Sequence, residues 1–180
     1  IVMFIKIKQS LDRALELLVM AVMGILVIDV LWQVFTRFII KNPSSWTEEL
    51  ATFLLMWISL LGAAVALNRG AHLGIDYFVS RLSPKKQIII EIFVFTMVAL
   101  FSFFVMVVGG IDLVQNTFVL GQVTPALGIK MGYVYLAIPI SGFFLTLYSM
   151  IALIERIRAA VKGGIKEEEL HITEQGTEID

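Results

Sequence analysis

The sequence contains no cysteine, which excludes a disulfide framework and thiolate chemistry. Its two histidines, His72 and His171, lie far apart, so no His-rich metal site is expected. Charge is scarce. Asp, Glu, Lys and Arg make up 16% of the 180 residues, against about 25% in a typical soluble domain. The formal net charge is −1, which offers nothing to attract nucleic acid. There is no nucleophile elbow, HExxH, phosphate loop or His–carboxylate motif, so no enzyme is expected and no cofactor of the chain's own. No internal repeat is visible, and inverted repeats mark many complete secondary transporters.

What the sequence has is oil. It is 58% hydrophobic, with a mean hydropathy of +0.89. That is too apolar for an ordinary core and makes lipid part of the solvent. A membrane helix needs about 20 apolar residues, and four stretches qualify: residues 17–35, 50–67, 88–108 and 133–154. All four are read as helices, because an open strand cannot cross lipid with its backbone groups unpaired. Lys6, Lys8 and Arg13 precede the first run, as in a cleaved leader. The run is long, however, and no small-x-small site follows before Trp32, so a retained span is expected.

Basic residues set the orientation. The N-terminal segment, the loop between spans two and three and the C-terminal tail hold eleven Lys and Arg. The opposite side holds three, Arg37, Lys41 and Lys130. The expected fold is therefore an all-α membrane protein of four transmembrane helices with both termini cytoplasmic. Residues 1–16 mix apolar and basic side chains, which suits an amphipathic helix along the inner leaflet or a plain extension of span one. Residues 155–180 form a polar cytoplasmic tail, expected to be frayed or disordered from Ala159 on.

Several residues stand out. Glu48 and Glu49 open span two and Arg69 closes it, which complements the helix dipole without any substrate. Thr52, Met56, Ser59, Ala63 and Ala66 share one face of that span, and Gly62 and Ala66 form a small-xxx-small pair. Such a face packs within the chain or docks a partner helix. Ser45 or Thr47 is placed to cap the helix. Asp29 lies inside span one, where an acid costs about 2.5–3.5 kcal/mol at mid-bilayer. Gln33 and Thr36 continue its polar stripe. Three readings stay open for Asp29: a pair with a basic or polar group here or on a partner, a hydrated position near the outer surface, or a proton or cation site. Glu91 follows Lys85 and Lys86 and is expected to be solvated or paired near the inner surface. Pro139 should kink span four. The apolar stretch from Gly109 to Lys130 should begin as a helix to about Leu120 and then turn irregular at Gly121, Pro125 and Gly128. His72 sits in a loop with Arg69 and Asp76, placed for a local hydrogen bond or a headgroup contact.

Two motif-bearing stretches, "WTEELATFLLMWISLLGAAVALNRGAHLGID" and "TPALGIKMGYVYLAIPISG", resemble the small permease subunit of tripartite ATP-independent periplasmic (TRAP) transporters, the DctQ-like Q subunit. The likeness covers about residues 17–154. One departure is Thr52, where the family often carries Arg after "EELA". The resemblance implies a scaffold in the bacterial inner membrane, beside a large elevator-type permease driven by sodium symport. It also implies a periplasmic substrate-binding protein that docks on the outer surface. The cargo would be an organic acid, such as sialic acid or a C4-dicarboxylate. Sodium would bind the large permease subunit, and membrane lipids would be partners of the chain. In that setting Asp29, Gln33, Glu48, Glu49, Arg69, His72 and Asp76 are structural or docking residues. The rival reading is a self-sufficient homo-oligomeric channel or carrier using Asp29.

Overall fold

The computed structural model describes the backbone of residues 2–42, 44–69 and 84–177, and the side chains of residues 8–42, 44–69 and 86–161. The described residues form six α-helices, in order α1 (Val2–Phe35), α2 (Ser45–Asn68), α3 (Pro84–Phe101), α4 (Gly110–Val119), α5 (Met131–Tyr135) and α6 (Ala137–Thr177). Two π-helical segments join them. Thr36–Ile40 ends α1, and Ser102–Gly109 connects α3 to α4. No strand occurs among the described residues; Val123 and Lys130 form one isolated antiparallel bridge.

Among the described residues, four helical stretches are long and apolar enough to cross a membrane: Lys8–Ile40, Ser45–Asn68, Lys86–Val119 and Met131–Val161. Each contains one of the four runs read from the sequence and extends past it. The extension has a physical cause. A helix stops where its end groups find other partners, not where hydrophobicity stops. Span one ends at Lys41, whose left-handed backbone (φ 56°) turns the chain while Asn42 N–H donates to the Thr36 carbonyl at 3.2 Å. Span two starts after Ser44. The cap is thus neither Ser45 nor Thr47; instead the Thr47 hydroxyl donates to the Ser44 carbonyl at 2.8 Å. Span three runs 34 residues, about 51 Å at 1.5 Å per residue, well beyond a hydrocarbon core of about 30 Å.

Residues 2–16 run straight into span one, the extension that the sequence left open, because α1 is continuous from Val2 to Phe35. Beyond span four, α6 continues to Thr177. In span four the break falls at Leu136, before Pro139. The proline lacks an N–H and its ring crowds the carbonyl four residues back, so the helix yields near Tyr135.

The spans pack in a row: α1 on α2, α2 on α6, and α6 on span three. One core joins them, built from Leu15, Leu61, Ala64, Leu67 and Tyr148, with Phe95 and Val98 against it. These residues lie toward one end of the molecule, here called the terminal end. The opposite, loop end holds residues 36–42, 44–47 and 120–131. Within the most apolar stretch of each span, only 11%, 17%, 6% and 28% of residues are buried. Span three has the fewest buried residues, and span four, which packs against both span two and span three, has the most.

Candidate partner interface

At the terminal end, polar side chains lock the row. Arg69 pairs with Glu16 at 2.9 Å, tying span two to span one. The Tyr148 hydroxyl donates to Asp12 at 2.6 Å, tying span four to span one. Arg156 pairs with Glu91 at 3.0 Å, tying span four to span three. Glu91 is thus paired, with Arg156. Nothing in the sequence signalled the Asp12–Tyr148 bond, because a lone Tyr in an apolar helix reads as a core residue. His72 and Asp76 lie outside the described residues.

At the loop end, Glu49 binds the irregular stretch. Its Oε2 accepts the N–H of Ala126 at 2.9 Å and of Leu127 at 2.8 Å. Pro125 sets up that presentation by fixing its own φ just before the two donors. The turn is closed on itself. Thr124 N–H donates to the Ile129 carbonyl at 2.8 Å, and its hydroxyl accepts Ile129 N–H at 3.0 Å. Gly128 sits at φ 65°, a backbone that favours glycine. The apolar loop stretch is therefore built and fastened to span two, while Val119, Leu120 and Val123 stay exposed. Glu48, one residue before Glu49, points elsewhere. With Gln33, Arg37, Ser44 and Ser45 it lines a polar pocket of about 320 Å³ between spans one and two.

The small-residue face of span two is turned away from the chain's own core. Thr52, Ser59 and Ala63 are exposed, Gly62 and Ala66 are half-buried, and a Cβ built on Gly62 meets no atom within 4 Å. The Thr52 and Ser59 hydroxyls bond back to the carbonyls of Glu48 and Leu55. Packing within the chain uses the other side, Thr47, Leu61, Ala64 and Leu67. The tightest internal crossing lies between spans three and four. There a Cβ on Gly142 would fall 2.6 Å from Met106 Cβ and 3.2 Å from the Ser102 carbonyl. The Ser102 and Thr146 hydroxyls share a hydrogen bond of 2.9 Å at the same level.

Asp29 is buried, 6% exposed, on α1. Its Oδ2 has no hydrogen-bond partner. With Ile25, Ile28, Trp32, Trp46 and Leu50 it lines an apolar groove of about 400 Å³ between spans one and two. Among the described residues no group of three or more His, Cys, Asp or Glu is placed to hold a metal ion.

Residues 25–159 match the family model of the DctQ component of tripartite ATP-independent periplasmic transporters. The chain belongs to the DctQ family. It is 28% identical to the sialic acid TRAP transporter small permease protein SiaQ of Vibrio cholerae over 139 residues, 77% of this chain and 79% of that one. It is also 28% identical to a putative TRAP transporter small permease protein of Haemophilus influenzae, over 87% of this chain and 95% of that one. A third relative, the isethionate TRAP transporter permease protein DctMQ of Oleidesulfovibrio alaskensis, is 30% identical over 53% of this chain but only 15% of its own length. These relatives are transporter subunits, and a DctQ chain carries its helices in a membrane.

Proposed function

We propose that this DctQ chain is the static small permease subunit of a sodium-coupled TRAP transporter in a bacterial inner membrane, with both termini cytoplasmic. It widens the scaffold against which a large permease subunit carries out its elevator motion. Its loop end faces the periplasm and offers a docking surface to a soluble substrate-binding protein. Cargo and sodium bind the large subunit. The relatives are named for sialic acid and isethionate, both organic acids, and an organic acid is the proposed cargo.

One observation carries this reading. The described residues build four spans with few buried residues, down to 6% of the most apolar stretch in span three, and the small-residue face of span two is turned outward. A row of helices open on both sides is a wall, and small residues let a neighbouring backbone approach closely in lipid. The DctMQ relative supports the identity of that neighbour, because its matching segment is a small part of a much longer permease polypeptide. The basic residues at the terminal end support the orientation.

Co-expression with the large permease subunit of the same transporter, followed by purification on a tag carried by this chain, tests the reading. The expected result is a complex that survives gel filtration in detergent. Recovery of this chain alone, under conditions where both proteins are made and inserted, contradicts it.

A further inference from the structure

We propose that the Asp29 groove seats one basic side chain, Lys or Arg, carried on a membrane helix of the large permease subunit. The inference rests on the complex described above and names one contact within it.

The argument starts from an unmet need. Asp29 Oδ2 is buried without a hydrogen-bond partner, and the walls around it are apolar: Ile25, Ile28 and Leu50, with Trp32 and Trp46. A buried acceptor without a donor is costly, and acids within membrane helices face partners or water-filled space. This chain's nearest cation along span one is Arg37, which lines the separate polar pocket with Gln33 and Glu48. The groove is open at its mouth, where Ile28 is 69% exposed. No described residue of this chain meets Oδ2, and the open mouth admits a side chain from outside the chain.

Charge and shape select a cation. A carboxylate attracts it, and two indole rings on the same groove add their negative faces. Depth selects a protein cation over a lipid amine. Asp29 lies about 16 Å along the helix from Ile40, where span one ends. A headgroup amine stays at the membrane surface, whereas a Lys or Arg on a neighbouring helix reaches sideways at any depth. The apolar walls then bury the stem of that side chain.

The test uses the complex. A photoreactive amino acid replaces Ile28 at the groove mouth with Asp29 left intact, and the adduct is identified by mass spectrometry. In parallel, Asp29→Lys and Asp29→Leu are compared with wild type for recovery of the large subunit, with the thermal melting of each variant chain alone as the folding control. The proposal expects an adduct on a membrane helix of the large subunit that bears Lys or Arg. It expects Asp29→Lys to lower recovery at least about tenfold, as loss of a buried charge pair does. Changing that Lys or Arg to Asp should restore it. An adduct on lipid alone, or full recovery with Asp29→Leu, overturns the inference while the complex stands. Failure of the wild-type chains to associate removes the complex and the inference together.

Discussion

Glu48 and Glu49 are neighbours of identical chemistry at the start of span two, yet the fold separates their roles. Glu49 accepts two backbone N–H groups from Ala126 and Leu127, while Glu48 is exposed beside Arg37 and Gln33. Removing Glu49 leaves two donors of the turn without their acceptor. Glu49→Ala should therefore cost about 1–3 kcal/mol and expose the turn, since hydrogen bonds to a charged group are worth about that much. Glu48→Ala should stay within about 0.5 kcal/mol, as for most surface changes. Thermal melting in detergent, with hydrogen exchange at Ala126 and Leu127, measures both. Equal effects from the two substitutions would refute the division of labour. The sequence marked the pair as important because two acids open an apolar run. It did not tell them apart, because their difference lies in a segment 77 residues away. Asp29 was the more legible residue. An acid within an apolar helix announces itself, although only the structure shows that no group among the described residues answers its Oδ2.

At the scale of elements, the four spans and the helical continuation toward Leu120 were readable from hydrophobic runs alone. Their ends were not, because capping at Lys41 and Ser44 depends on local backbone geometry rather than on hydropathy. Small residues were a partial guide. The regular spacing on span two pointed to a close-packing face, but that face is open, and the tight internal contact is made by Gly142. A glycine's meaning depends on what crosses it, which spacing within one helix does not contain. The two glycines make a paired prediction. Gly142→Ala places a methyl group against Met106 and the Ser102 carbonyl, so spans three and four must separate, at about 1–3 kcal/mol for overpacking. Gly62→Ala meets nothing within 4 Å, and helix propensity favours it by up to about 1 kcal/mol. Melting of the purified chain should fall for the first and hold or rise for the second. A loss at Gly62 equal to that at Gly142 would place the packing on the wrong face.

At the scale of the whole molecule, the chain is a row of helices pinned at the terminal end by Glu16–Arg69, Asp12–Tyr148 and Glu91–Arg156. At the loop end, the Glu49 clamp fastens the turn after span three to span two. Arg69 is 63% exposed, so its pair with Glu16 contributes only about 0.2–1 kcal/mol and acts chiefly in setting register. This arrangement suits a part that holds its shape while a neighbour moves. It also separates the two functional readings of Asp29, since a carrier needs the acid in a solute path and a wall needs it at a joint. Uptake of a labelled organic acid into proteoliposomes under a sodium gradient distinguishes them most directly. Vesicles holding this chain alone should show no uptake above empty vesicles, and vesicles holding the full complex should accumulate the solute. Sodium-dependent uptake by this chain alone, abolished by Asp29→Asn, would contradict the account.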